Sequence, residues 1–172
     1  MSFYIRKVNT SKWEDTLPQS NDFLDMSVDG ITNCCKTSDN ALSVWKTESQ
    51  DIYSDENKRL ITAMAMALDR PSAMTIIFFS DDDISSLGLD LKETRGQTPY
   101  DELADCHRDI SNLTLKKIGS LAWKIHEKVN DDDEIKIVSE EEVKGFVKYL
   151  FPVVGELPNE KQQQKKWKAL YS

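Results

Sequence analysis

The segment Met74-Thr75-Ile76-Ile77-Phe78-Phe79-Ser80-Asp81-Asp82-Asp83 joins an apolar run to three aspartates, and it decides the predicted fold. Runs of β-branched and aromatic residues are typical of a strand that is buried on both faces. In open α/β sheets, ligands and catalytic acids lie at the carboxyl end of such strands. The same pattern also arises wherever a core strand emerges into a solvated loop. No other motif completes a catalytic set around these acids, so the segment alone does not assign a function.

The three aspartates have two interpretations. In the first, Asp81, Asp82 and Asp83 bind a divalent metal, because hard cations prefer several carboxylate oxygens on a rigid support. Such a site needs a further carboxylate from another element, and the spacing leaves four candidates: Glu56, Asp101, Asp131 and Glu134. In the second interpretation, the aspartates belong to a loop and cap the turn at 84–87. We favour the second interpretation. The sequence accordingly predicts neither a bound metal nor a cofactor.

Glu134 and Lys136 form the second candidate motif. Residues two apart on a strand share a face, so both side chains are expected to point the same way. A Glu-x-Lys pair of this kind is half of a motif used by many metal-dependent nucleases. Those enzymes also need an aspartate on a neighbouring strand, and here the three aspartates lie far back in the chain. A metal-dependent hydrolase or nuclease that uses Asp81–Asp83 with Glu134 and Lys136 is therefore the alternative function.

Strands and helices alternate along the chain in one compact pattern. Alternating or continuous apolar runs predict strands at 3–8, 41–47, 73–79 and 135–138, and a short one is compatible with 87–91. Caps at Ser27, Ser54 and Ser139, together with apolar spacing, predict helices at 28–35, 55–68 and 140–150. Pro99 is expected to begin a long central helix at 99–129. This order favours a single α+β domain, or a three-layer α/β domain, over 1–158 with a four- to five-stranded sheet.

Composition limits the classes of partner. The 22 basic and 30 acidic side chains give a formal charge of -8. This charge argues against nucleic acid as a partner, because binding to nucleic acid depends on neutralising its phosphates. The charge fits good solubility or attraction to a basic protein surface. No apolar run reaches the roughly 18 residues of a membrane span. The odd count of three cysteines predicts reduced thiols. From these two observations we expect a cytoplasmic protein.

The carboxyl-terminal segment, 159–172, differs from the rest of the chain. It is basic, and apolar groups at Trp167, Leu170 and Tyr171 share one face if the segment is helical. The sequence predicts a contact arm whose partner-binding residues are Lys165, Lys166, Trp167, Lys168 and Tyr171. The alternative is that the segment docks onto the protein's own acidic surface near 131–142.

These observations favour a non-enzymatic protein-binding module. We expect an accessory subunit, or an immunity or inhibitor-type protein, that acts on a more basic partner. An acidic mimic of nucleic acid is a second alternative. It ranks lower because the acids cluster at 81–83, 131–134 and 140–142 instead of being spaced along one face. The oligomeric state does not follow from the sequence.

Overall fold

A six-stranded antiparallel sheet forms the centre of the protein. The computed structural model describes residues 1–13, 26, 28–96, 98 and 100–172. Its strands are β1 (Phe3–Val8), β2 (Leu42–Thr47), β3 (Met74–Ser80), β4 (Asp90–Glu93), β5 (His107–Ser111) and β6 (Ile135–Val138). They lie in the order β4-β5-β2-β1-β3-β6, and every neighbouring pair is antiparallel. The predicted mixed α and β content is confirmed, but the sheet has six strands instead of four to five.

Helices cover both faces of this sheet. They are α1 (Val28–Cys34), α2 (Asp55–Met66), α3 (Asp81–Ser86), α4 (Leu115–Val129), α5 (Glu140–Leu150), α6 (Asn159–Gln162) and α7 (Lys165–Lys168). Helices α2 and α5 pack with the carboxyl-terminal segment over one face, whereas α1 and α4 contribute to the core on the other. None of the helices in the described part of the chain has the length and apolar character needed to cross a bilayer.

Burial on both faces explains the apolar run in β3. Ile76 and Phe78 point into the core under α2 and α5, while Ile77 and Phe79 point into the core under α4. All four are at most 1% exposed. The apolar run in β3 is therefore explained by helical layers on both faces of an antiparallel sheet. The rule that places ligands at the carboxyl edge of parallel strands does not apply to this sheet.

The predicted long helix at 99–129 is wrong. A short 3-10 helix, Asp101–Cys106, is followed by strand β5, and α4 begins only at Leu115. Asn112 turns the chain with a φ of 54°, and the Thr114 side chain caps α4 by accepting a hydrogen bond from the Lys117 amide at 3.3 Å.

Residues 103–113 have helical spacing of apolar residues, but strand pairing determines the structure at 107–111. Leu103, Cys106, Ile110 and Leu113 recur at helical intervals, but β5 pairs with β2 on one side and with β4 on the other. Both ladders satisfy the backbone polar groups of β5, and Ile110 is fully buried in the core under α4. Pro99, which was expected to begin the long helix, lies outside the described residues.

Local capping signals located the other main helices correctly. The Ser54 side chain accepts a hydrogen bond from the Asn57 amide at the start of α2. Ser139 and Glu142 form a capping box at the start of α5, which satisfies two backbone amides reciprocally. The cap expected for α1, Ser27, lies outside the described residues.

The sheet contains one internal opening, between β1 and β2. These strands pair from Phe3↔Thr47 to Ile5↔Trp45, and beyond that point β1 continues to pair only with β3. The Arg6 guanidinium spans the opening, where Nη1 donates to the Ser43 carbonyl at 2.7 Å and Nη2 donates to the Cys34 carbonyl at 2.9 Å. Burial lowers the pKa of Arg6 from its ordinary value. A single side chain thus joins β1, β2 and the end of α1.

Removing the Phe78 ring should strongly destabilise the fold. Phe78→Ala is expected to lower the free energy of unfolding by about 3–5 kcal/mol, because the substitution leaves a cavity in a closed core. Ile137→Ala is the matched control, since Ile137 lies on the neighbouring strand but is 69% exposed. Its effect should stay within about 0.5 kcal/mol. Urea unfolding measures both values, and equal losses for the two variants would contradict the assignment of β3 as a central strand.

Candidate functional site

The three aspartates form the first turn of α3. The Ser80 side chain accepts a hydrogen bond from the Asp83 amide at 3.0 Å, and Asp83 accepts one from the Ser80 amide at 2.9 Å, which makes a capping box. Asp81 accepts hydrogen bonds from the Ser2 amide and the Tyr4 hydroxyl, both at 2.8 Å, and these bonds lower its pKa. Asp82 is exposed. Asp83 therefore caps α3, and Asp81 joins α3 to β1 and to the residue before it.

Asp83 and Glu134 do lie near each other, but a lysine lies between them. The Lys128 ammonium is 3.1 Å from Asp83 and 2.8 Å from Glu134, and the Lys128 side chain is only 8% exposed. Burial alone would raise the pKa of Asp83, but the Ser80 amide and Lys128 outweigh it, so the pKa is lowered. The arrangement is an ion-pair network that ties α3, α4 and the start of β6 together.

Glu134 and Lys136 do not act on a common point. Glu134 contacts Lys128, whereas the Lys136 ammonium donates to the Asp133 carbonyl. Among the described residues, no group of three or more His, Cys, Asp or Glu side chains has a geometry that could hold a metal ion. The geometry thus offers no support for a metal-dependent hydrolase at Asp81–Asp83, Glu134 and Lys136.

The carboxyl-terminal segment packs onto the protein itself. Trp167 is fully buried and Leu170 is 7% exposed, both in the core under α2 and α5. The Tyr171 hydroxyl donates to the Phe151 carbonyl at 2.6 Å. Buried Lys161 donates to the Leu68 carbonyl at 3.2 Å and lies 5.5 Å from the centre of the Trp167 ring. The segment therefore docks on an apolar core, and not on the acidic surface near 131–142 that the alternative interpretation named.

This docking changes the role of the predicted contact residues. Trp167 is not available as an exposed contact in this conformation, because its apolar ring completes the protein's own core. Lys165, Lys166 and Lys168 remain exposed. Their contact with a partner stays a prediction, and it is a separate question from the packing of Trp167.

A surface that the sequence analysis missed lies along the seam between α2 and α5. Tyr53 and Tyr149 are 53% and 57% exposed, although tyrosine rings usually bury much of their area. The Tyr53 hydroxyl donates to Glu142, and the Tyr149 hydroxyl donates to Asp55 at 3.3 Å. We call this region the acidic tyrosine surface. It consists of five residues: Asp51, Tyr53, Asp55, Glu142 and Tyr149.

Neighbouring groups fix both tyrosine rings in place. The Tyr53 ring packs edge-on against Phe146, with the ring centres 6.1 Å apart. The Lys58 ammonium lies 5.0 Å from the centre of the Tyr149 ring and 3.7 Å from Asp55. The hydrogen bond to Glu142 raises the pKa of Tyr53, and the same bond lowers the pKa of Glu142. At neutral pH the hydroxyl is therefore a neutral donor and the carboxylate a charged acceptor.

No local signal in the sequence could have identified this surface. Tyr53 precedes α2 and Tyr149 lies near the end of α5, in different halves of the chain. Their proximity depends on the packing of α2 against α5, which is a tertiary contact. The capping serines of both helices were found from the sequence, but caps do not show which helices are neighbours.

Comparison with known proteins does not identify a relative of this chain. No family model, no curated protein and no solved structure matches it. The function has to be inferred from the geometry of its side chains.

Loss of the carboxyl-terminal segment should destabilise the protein. Deletion of 159–172 is expected to lower the melting temperature, because it exposes the core that Trp167 and Leu170 cover. Trp167→Ala alone should cost about 3–5 kcal/mol of unfolding free energy, whereas Lys166→Ala, at an exposed position, should have little effect. Calorimetry and urea unfolding measure these changes. A truncated chain that melts like the full chain would show that the segment does not contribute to the core.

Proposed function

We propose that this protein is a non-enzymatic binding module that recognises a more basic protein partner through the acidic tyrosine surface. One observation carries the proposal: two tyrosines, each more than half exposed, are held on carboxylates along a single helix seam. An accessory subunit and an immunity or inhibitor-type protein both fit this description. The surface supplies the contact that either role requires.

Exposed, ordered tyrosines are well suited to protein recognition. Tyrosine offers a large contact area and loses little conformational entropy on binding, and it is enriched among the residues that dominate interface energies. The ring contacts with Phe146 and Lys58 restrict the two tyrosines before any partner arrives. Binding therefore costs less side-chain conformational entropy, because the two rings are already restricted in the free protein.

The charge around the tyrosines selects the partner. Asp51, Asp55 and Glu141 are exposed acids on or beside the starts of α2 and α5. Lys58 pairs with Asp55 and Lys144 pairs with Glu141, and the whole chain carries a formal charge of -8. Complementary charge accelerates association and excludes partners of the same sign. A basic protein surface with a few apolar groups fits this arrangement better than a nucleic acid does.

The two alternative functions have less support. For the metal-dependent hydrolase, no converging carboxylate set is present among the described residues. A nucleic-acid mimic needs acids spaced along one face. Here 81–83 and 131–134 meet at one end of the β3–β6 pair, and 140–142 follows the opposite end of β6.

Binding of the partner should depend on Tyr53 and Tyr149. The immobilised protein is used to capture binding proteins from an extract of the source organism, in parallel with the Tyr53→Ala/Tyr149→Ala double variant. The matched control is Val28→Ala/Leu115→Ala, which removes two apolar side chains that are 71% and 85% exposed elsewhere on the surface. A captured protein is then purified, and its affinity for each variant is measured by calorimetry at two salt concentrations.

We expect a basic protein that binds the parent and the control equally and binds the tyrosine variant at least tenfold more weakly. Its affinity should fall with added salt, because the surface is acidic and exposed. Equal affinity for all three proteins would contradict the proposal, as would capture of only acidic proteins.

A further inference from the structure

A groove on the α2 side of the sheet has a charge opposite to that of the chain as a whole. Strands β1, β2 and β5 form its floor, the carboxyl-terminal half of α2 forms one wall, and the turn at 36–41 forms the rim. Its volume is about 700 Å³. Pockets for small molecules usually measure about 300–1,000 Å³. The groove ends at the opening between β1 and β2.

Cations outnumber acids around this groove. Arg6, Lys7, Lys36 and Arg95 line it, against Asp39 and Asp109. This excess of positive charge is unexpected in a chain with a formal charge of -8. Because the acidic groups lie mainly elsewhere, the groove is a local basic site on an acidic protein.

No carboxylate among the described residues pairs with the cations at the open end of the groove. Lys7 and Lys36 are exposed, and in the described part of the chain no carboxylate oxygen lies within 4.0 Å of either ammonium. Arg6 contacts carbonyl oxygens only, and its Nε has no hydrogen-bond partner there. Arg95 differs, because Asp101 and Asp105 pair with it. The uncompensated charge is thus concentrated on three side chains at the opening.

The acid on the floor of the groove is engaged elsewhere. Asp109 accepts a hydrogen bond from the Ser43 hydroxyl at 3.4 Å and lies 3.9 Å from Nε2 of His107. It belongs to β5, on the far side of β2 from Lys7. Asp109 therefore does not neutralise the lysines.

Two packed aromatic rings line the other end of the groove. The Trp45 and His107 rings pack edge to face with their centres 5.2 Å apart, and Met64 contributes from α2. The Thr94 hydroxyl and Nδ1 of His107 are 2.8 Å apart. A Cβ at Gly96 would lie 2.8 Å from the His107 Cβ, so only glycine lets this loop approach so closely. The loop holds both rings in place.

We propose that this groove binds a small organic anion that carries a phosphate or carboxylate group on a planar apolar body. The anionic group contacts Lys7 and Lys36 at the opening, and the planar body packs against Trp45 and Met64. Trp45 pairs with Ile5, and Lys7 lies two residues further along β1, which is about 7 Å on a strand. That separation suits a molecule of the size of a mononucleotide. The site is distinct from the acidic tyrosine surface, which lies at the opposite end of α2.

Binding of 8-anilinonaphthalene-1-sulfonate tests the proposal, because this fluorescent probe combines an anionic group with planar apolar rings. The folded protein is titrated with the probe, alongside the Lys7→Glu/Lys36→Glu and Trp45→Ala variants. The matched control is Lys116→Glu/Lys166→Glu, which reverses two exposed lysines away from the groove. Circular dichroism confirms that each charge variant is folded. Adenosine monophosphate and 1-naphthoate then compete with the probe.

We expect saturable binding of one probe molecule per chain. The Lys7→Glu/Lys36→Glu variant should bind at least tenfold more weakly, while the control should stay within threefold of the parent. Displacement by adenosine monophosphate identifies a phosphate ligand, and displacement by 1-naphthoate identifies a carboxylate ligand. Equal loss of affinity in the groove variant and the control would overturn the proposal. So would binding that does not saturate, or a bound probe that neither competitor displaces.

Discussion

A partly buried guanidinium that has no carboxylate partner among the described residues is the interaction on which the rest of this architecture depends. Arg6 lies on a central strand, where β1 has separated from β2, and it donates to a carbonyl of β2 and to a carbonyl of α1. An opening in the middle of a sheet leaves backbone groups unpaired, which costs free energy if they are buried. Arg6 supplies one donor to the Ser43 carbonyl of β2 at the opening and a second donor to the Cys34 carbonyl at the end of α1. One face of the sheet can therefore open into a groove while the other stays closed under α1 and α4.

The same scaffold places opposite charges at the two ends of one helix. The amino-terminal end of α2 carries Asp55 beside the exposed tyrosines, and the carboxyl-terminal end borders the groove with Lys7 and Lys36. The helix has 12 residues, and such a helix is about 18 Å long. This distance exceeds the screening length of about 8 Å at physiological salt, so the charge of one proposed site has little effect on the other. The proposed protein partner and the proposed small anion would therefore not compete for a site.

Much of the fold could be predicted from local signals. The alternation in β1 and β2, the continuous apolar run in β3, and the serine caps of α2 and α5 each depend on neighbours within a few residues. Strand β5 could not be predicted, because His107-Arg108-Asp109 has no apolar alternation and its surroundings imitate helical spacing. Only pairing with β2 and β4 makes it a strand. The candidate sites follow the same rule: the acids at 81–83 were conspicuous in the sequence, whereas Tyr53 and Tyr149, or Lys7 and Trp45, become neighbours only through tertiary packing.

The most direct test of this structure is a nuclear Overhauser measurement of cross-strand contacts around the opening between β1 and β2. Paired residues on antiparallel strands have Cα atoms about 4.5–5.5 Å apart, close enough for strong contacts between backbone protons. Contacts should be present between Ile5 and Trp45 and between Lys7 and Ile76, because both pairs belong to intact ladders. No contact should join Lys7 to Ser43. A Lys7–Ser43 contact as strong as the other two would show a closed sheet and would contradict both the role of Arg6 and the groove.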